Sequence, residues 1–284
     1  MFDAASRSDP ATAALPRAEG AIAIAVKHDG TRTRLARLRH QGSAKCLLPR
    51  GTPAPEAVIV NTAGGITGGD RFDWRAEAGP DCTLTCTTQA AERIYRASGE
   101  AVGHMRTHLT LGPRATLAWL PQETILFDRG AFERSLTVEM APDATLLLLE
   151  PLVLGRAAMG ETVHQGHFVD RWEIRREGRL VFADTLRLSG PIAEIAARPA
   201  VLGGARATAN LLLVAPDAED RLDALRAALD AAMARDSGFE AGASAWNGLL
   251  AARLIATGGM ALRDGVIASL TALKIVGLPR VWHG

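Results

Sequence analysis

Apolar residues recur at every second position through much of the first two-thirds of the chain, the period of half-buried strands. Ile22, Ile24 and Val26 alternate with alanines and run into Asp29-Gly30, a favourable hairpin turn, before Leu35 and Leu38 appear among arginines. Met105, Thr107, Leu109 and Leu111 share one strand face, with His104, Arg106, His108 and Thr110 on the other. Leu136, Val138 and Met140 repeat that pattern, and Phe168, Trp172 and Ile174 follow it less regularly. Arg176-Glu177-Gly178-Arg179 then predicts a turn into Leu180, Phe182, Leu186 and Leu188.

A degenerate repeat runs through this region. Gly79-Pro80-Asp81-Cys82-Thr83-Leu84 recurs as Gly112-Pro113-Arg114-Ala115-Thr116-Leu117 and as Ala141-Pro142-Asp143-Ala144-Thr145-Leu146, at steps of 33 and 29 residues. Proline suits the second position of a type I turn, and each turn feeds a β-prone run. Gly99, Gly130 and Gly160 are expected to open the second strand of each unit. Two strands and a connector per step fit stacked solenoid units, and a two-sheet sandwich accounts for the same pattern.

The last third changes period. Leu222, Leu225, Leu229 and Met233 have helical spacing, with Asp217, Glu219 and Asp220 in the favoured first turn. A second helix is predicted over about residues 260–275, on Leu262, Val266, Leu270 and Leu273, closed by Gly277 and Pro279. The run from Leu249 through Ile255 reads as a strand between them. The expected fold is therefore mainly β, solenoid-like or two-layered, with two C-terminal helices. Residues 1–19, rich in Ala, Asp, Ser and Pro, are expected to be a mobile tail before a single domain over 20–284. Its β body covers about 20–215 and its helix-containing part about 216–284.

Composition narrows the function. A 284-residue chain with 48% hydrophobic residues can bury its own core, and a net charge of +1 supplies no general drive toward nucleic acid or anionic lipid. The three cysteines, Cys46, Cys82 and Cys86, are a poor disulfide framework and suit a reducing compartment. With no secretory layout at the N-terminus and no apolar run long enough to span a bilayer, a cytoplasmic address without membrane contact is expected.

The stretch Asn61-Thr62-Ala63-Gly64-Gly65-Ile66-Thr67-Gly68-Gly69-Asp70-Arg71 lacks the lysine of a phosphate loop and puts a repelling carboxylate in its place. Nor does it open a helix, as a dinucleotide fingerprint must. Cys82 and Cys86 on a strand lie roughly 13 Å apart, too far to share a metal, and the same holds for His104 and His108. His164 and His167 are weak metal candidates in a polar stretch. Glu123, Asp128, Glu150 and Glu161 have no spacing that identifies a hydrolytic pair, so catalysis has no positive support. Glu150 is unusual because it follows four leucines and precedes Pro151-Leu152-Val153-Leu154. A charge there needs a partner or a wet cavity, for which Arg156 is the neighbour in sequence, or else faces solvent at a strand end.

The residues also resemble a known family. Gly64, Gly65, Gly68, Gly69 and Asp70 resemble the Gly-Gly-x-x-Gly-Gly-Asp signature of the urease accessory protein UreD (UreH) family. Thr87-Thr88-Gln89 with Ile94-Tyr95-Arg96 is similar to its next block, and residues 119–125 with Phe127-Asp128 to a third. Residues 147–150, Leu154-Gly155-Arg156 and Gly160-Glu161 resemble a fourth, and Leu278-Pro279-Arg280-Val281-Trp282 the family's ending. Ala63 stands where many members have proline, and Ala97 where many have serine.

The resemblance implies a solenoid-like β body with a helical pair and a non-enzymatic scaffold for nickel insertion into apo-urease. It implies the partners UreF, UreG and the urease subunits, with nickel in transit and no tightly bound cofactor. The motif residues Thr88, Tyr95, Arg96, Glu123, Asp128, Glu150, Arg156 and Glu161, with the glycines and Asp70, become expected ion-route or partner contacts. A β-solenoid carbohydrate-active enzyme is the alternative, and it requires two converging carboxylates and aromatic platforms.

Overall fold

The computed structural model describes residues 16–283. The expected mobile tail lies outside the described residues through residue 15, and Glu19 already begins the first strand. β1 (Glu19–His28) and β2 (Thr33–Gly42) form a hairpin, followed by β3 (Ala44–Leu47) and β4 (Glu56–Asn61). A three-fold pattern comes next. β5 (Arg71–Ala78) leads to β6 (Thr83–Thr88) and the short β7 (Glu92–Ile94); β8 (Gly103–Leu111) leads to β9 (Thr116–Trp119) and the short β10 (Thr124–Leu126); β11 (Ala131–Met140) leads to β12 (Thr145–Leu154). β13 (Gly166–Arg176) and β14 (Arg179–Gly190) make a second hairpin, and then come helix α1 (Ile192–Ala197) and β15 (Ala207–Val214). Helix α2 (Leu222–Arg235), the hairpin of β16 (Phe239–Trp246) and β17 (Leu249–Ala256), and helix α3 (Gly259–Leu273) complete the order.

These strands build two facing sheets, one ordered β14-β13-β11-β8-β5-β1-β2 and the other β16-β17-β15-β12-β9-β6-β4-β3. The middle of each is parallel: β5, β8 and β11 stack in one, β6, β9 and β12 in the other. Equivalent residues of successive repeats pair directly, as Leu111 does with Ala78 and with Met140. This is solenoid-like stacking, closed on its flanks by antiparallel hairpins. The repeat read from the sequence is thus the coil itself.

The turns between coils follow the proline motif, with one revision. Cys82 N–H bonds Gly79 O at 3.2 Å and Ala115 N–H bonds Gly112 O at 3.1 Å, but Asp81 and Arg114 have φ of 59° and 55°. A positive φ at the third turn residue is the mark of a type II rather than a type I turn in these two; in the third, Ala144 N–H bonds Ala141 O at 3.2 Å and Asp143 has no positive φ, as a type I turn requires. Cys82, Ala115 and Ala144 follow their turns at equivalent, fully buried positions, so small residues there let the coils close on one another.

Side chains alternating inward from both sheets fill the space between them, among them Ile22, Ile24, Phe72, Trp74, Leu109, Leu136, Phe168 and Trp172 facing Leu84, Leu117, Leu146 and Leu148. A second core forms where α2 and α3 cover the outer face of the other sheet. Leu225, Leu229, Leu262, Val266, Leu270 and Leu273 pack there on Leu147, Leu149, Leu211, Leu213, Leu250 and Leu254. Burying both faces explains why β12 reads as an unbroken run of leucine.

Several boundaries differ from expectation. Gly99 and Gly160 sit in connector turns with φ of 98° and 66°, so β8 and β13 open later, at Gly103 and Gly166. α3 ends at Leu273, closed by Lys274 in the left-handed region rather than by Gly277. β16 and the short α1 carry no clear sequence signal: the first is rich in Ala, Gly and Ser, and it is held as a strand by pairing with β17. Cys46, Cys82 and Cys86 are all free and buried, and burial pushes the Cys46 thiol up to about 11. They are core residues, the role expected for Cys82 and Cys86.

Candidate functional site

The inward row of β11 is Phe132, Arg134, Leu136, Val138 and Met140, and that of β12 includes Leu146, Leu148, Glu150 and Leu152. Arg134 and Glu150 interrupt otherwise apolar rows, on opposite sheets. Register sets Asp170 of β13 directly beside Arg134, so three charged side chains meet in the interior. Arg134 Nη1 lies 2.5 Å from Glu150 Oε2, and its Nη2 lies 2.8 Å from Asp170 Oδ2. Each of the three is at most 7% exposed. Trp119 Nε1 donates to Glu150 Oε1 at 2.8 Å, Arg134 donates to Thr124 Oγ1 at 3.0 Å, and the guanidinium stands over the Phe168 ring at 5.5 Å.

Burial pushes the Glu150 carboxyl upward, with Arg134 opposing the shift and Asp170 reinforcing it. One guanidinium cannot neutralise two carboxylates, so the trio carries a net negative charge whenever both are ionised. Arg134 Nε and Asp170 Oδ1 are buried and find no partner in the protein. Groups of this kind are normally solvated by internal water.

Arg134 and Glu150 form the inner wall of a cavity of about 210 Å³ between the sheets. Its outer wall is the glycine stretch and the β7 connector: Asn61, Gly64, Thr88 and Glu92. Asn61 Nδ2 donates to both Glu92 carboxylate oxygens, at 3.1 and 3.2 Å, and to Gly65 O at 3.2 Å. Burial nevertheless pushes the Glu92 carboxyl up to about 7, against the lowering effect of the Asn61 bond. A second carboxyl, at the cavity's outer side, therefore titrates near neutrality.

The glycine stretch is a compact turn built around Asp70. Asp70 is 4% exposed, its Oδ1 accepts Ala18 N–H and its Oδ2 accepts Thr67 N–H, both at 2.8 Å. Gly65 has φ of 152°, and a Cβ there would meet the Tyr95 ring at 2.3 Å; at Gly68 it would meet the carbonyl oxygen of Ala101 at 2.1 Å. Close approach of the β7 connector, not phosphate binding, explains these glycines. Gly69, at φ of 93°, turns the chain into Asp70.

The expected site residues fall into separate groups. Thr88 and Glu150 line the interior cavity with Gly64. Tyr95, Arg96, Asp128, Arg156 and Glu161 gather instead around a surface depression beside it. There the Tyr95 ring meets Phe127 edge-on at 5.2 Å and its hydroxyl donates to Gly64 O at 3.2 Å. Arg156 stands 4.3 Å over the Phe127 ring and pairs with Glu161 at 2.8 Å. Arg156 is therefore not the partner of Glu150, because the strand carries the two to different places; Arg134, distant in sequence, takes that role.

Glu123 accepts from Arg263 of α3 at 3.3 Å, and Arg263 also holds Gln122 and the Val281 carbonyl, tying the chain's end to residues 119–124. Asp128 Oδ1 accepts the backbone N–H groups of His164 and Gln165. His167 bonds Glu133 and Ser189 on the outer sheet face, and no group of three or more His, Cys, Asp or Glu side chains able to hold a metal occurs among the described residues. Arg134, Asp170, Glu92 and Asn61 were missed by sequence reasoning. The available signal was parity: two residues before Leu136, and two after Phe168, a charge occupies an inward position.

The profile of the UreD urease accessory protein family matches residues 18–283 of the chain. This chain belongs to the UreD family. The urease accessory protein UreD of Methylobacterium sp. (strain 4-46) is 51% identical over 269 residues, covering 94% of this chain and 95% of that protein. That of Xanthobacter autotrophicus is 47% identical over 285 residues, with 97% and 96% covered, and that of Rhizobium leguminosarum bv. trifolii 49% over 269 residues, with 94% and 96% covered. A role in urease maturation follows for a UreD-family chain. Four of the five blocks that carried the resemblance contribute to the walls of the cavity and the adjoining surface: residues 64–70, 87–96, 119–128 and 147–161 meet there. No described helix is long and apolar enough to cross a membrane.

Proposed function

We propose that this chain is the non-catalytic scaffold through which nickel reaches apo-urease, bridging the enzyme to UreF and UreG. The observation that carries this reading is the cavity lined by two carboxylates, Glu92 on its outer wall and Glu150 on its inner wall, between two sheets whose facing rows are mainly apolar. Carboxylate oxygens hold Ni²⁺ more weakly than imidazole or thiolate, so they suit a passage that must release its ion. Both carboxyls are raised toward neutrality by burial, so protons compete with the cation and weaken its hold further. The neighbouring depression with Tyr95, Arg156 and Glu161 is an exposed, partly aromatic surface of the kind that docks a protein partner.

The test is co-expression of the urease operon with this chain deleted, intact, or carrying Glu150→Gln, followed by nickel analysis of purified urease. Deletion is expected to leave urease expressed and nickel-poor, with Glu150→Gln lowering the load several-fold. Full loading in the deletion would overturn the maturation role. Full loading with Glu150→Gln would overturn the carboxylate route.

A further inference from the structure

Arg134 stands where a divalent cation between Glu150 and Asp170 would stand. Its Nη1 and Nη2 reach the two carboxylates at 2.5 and 2.8 Å, so one guanidinium bridges an acid from each sheet. We propose that Glu150 and Asp170 form a latent site for a divalent cation, and that Arg134 occupies it as a tethered counter-cation which an incoming ion must displace. This rests on the reading of the cavity as an ion route, and goes beyond it by naming the device that keeps the route from trapping its cargo.

Three observations support the assignment. The first is stoichiometric: when both acids are ionised, two carboxylates against one guanidinium leave a negative charge unbalanced in the low-dielectric interior. The second is incomplete satisfaction, since Asp170 Oδ1 and Arg134 Nε are both buried without a protein partner. Asp170 therefore keeps a free acceptor, and Arg134 is held through its two outer nitrogens alone. The third is location, because Arg134 and Glu150 both face the cavity, so an arriving ion meets the pair from the open side. Thr124 and the Phe168 ring give the guanidinium other contacts.

The guanidinium has a fixed charge that no physiological pH removes, so it competes for the carboxylates at all times. An ion entering the pair gains two carboxylates but must break two charge-assisted bonds. Its net affinity is thus much lower than two bare buried acids would give. Without Arg134 the same acids become a trap.

The experiment compares the purified full-length chain with the variants R134Q and R134Q/D170N, using Ni²⁺ alone as the probe. Nickel retained after gel filtration and the calorimetric affinity are both measured. R134Q is expected to retain about one Ni²⁺ per chain and to bind it at least tenfold more tightly than the parent, with R134Q/D170N returning to the parent's level. Equal weak binding by the parent and R134Q would overturn the proposal, as would equal tight binding by R134Q and R134Q/D170N. If R134Q is poorly folded alone, Ni²⁺ should raise its melting temperature far more than it raises that of R134Q/D170N, by linkage of binding to folding. An R134Q melt that ignores Ni²⁺ would also overturn it. The route reading is judged separately by urease loading with Glu150→Gln, so either idea can fail without the other.

Discussion

Replacing Asp70 with alanine removes the side chain around which the glycine turn is organised. Its two oxygens accept the backbone N–H groups of Ala18 and Thr67, each at 2.8 Å, and the residue is 4% exposed. Truncation leaves two half-buried donors without their acceptor. An orphaned buried donor costs roughly 1–3 kcal/mol, so the pair amounts to about 3 kcal/mol after partial relaxation. Backbone bonds through Asp70 itself, its N–H to Thr67 O and its carbonyl from His104 N–H, survive the change and cap the damage. The assay is urea unfolding followed by far-ultraviolet circular dichroism. With a slope of about 3 kcal/mol/M, the midpoint should fall by about 1 M. Asp70→Asn keeps one acceptor but turns its amide donor toward a backbone N–H, so it should lose at least half as much. A midpoint for Asp70→Ala within about 0.3 M of the parent's, less than about 1 kcal/mol at that slope, would refute the capping role.

Two further outcomes follow from the same geometry. Gly68→Ala places a Cβ 2.1 Å from the Ala101 carbonyl oxygen, a backbone atom that cannot step aside, so it should cost about 2–3 kcal/mol in the same unfolding assay; an unchanged midpoint would show that the connector yields. In the folded chain Glu92 holds its proton up to about pH 7, whereas the unfolded chain releases it near the ordinary glutamate value of 4.5. Stability is therefore lost as pH rises through that window and levels off above it. Glu92→Gln should match the parent below about pH 4 and exceed it by about 1–3 kcal/mol above pH 7. A stability difference independent of pH would overturn that account.

Much of this site was legible as motif but not as place. The glycines and Glu150 could be picked out because paired glycines without a following lysine, or a charge in a leucine run, violate a local rule, whereas Thr88, Tyr95, Glu123 and Arg156 became expected site residues through the family resemblance. Their grouping could not. Arg156 is six residues from Glu150 along the chain, yet it leaves the sheet through the Gly155 turn and reaches Phe127 on the surface. Arg134 is sixteen residues away and meets Glu150 because the coil returns the chain from one sheet to the other.

By itself the sequence determined the strand periods, the three proline turns, the two covering helices and the family. The first three depend on contacts between near neighbours or on patterns repeated within the chain, and the family on motif blocks that stand in order along it. Tertiary structure alone decided that β5, β8 and β11 stack in register, that Asp170 falls beside Arg134, and that Glu92 and Glu150 share one cavity. The physical reason is that a strand's pattern fixes which face of a residue is buried, but not which other strand shares that burial. That choice belongs to the register between coils, and the charged cluster is one of its products.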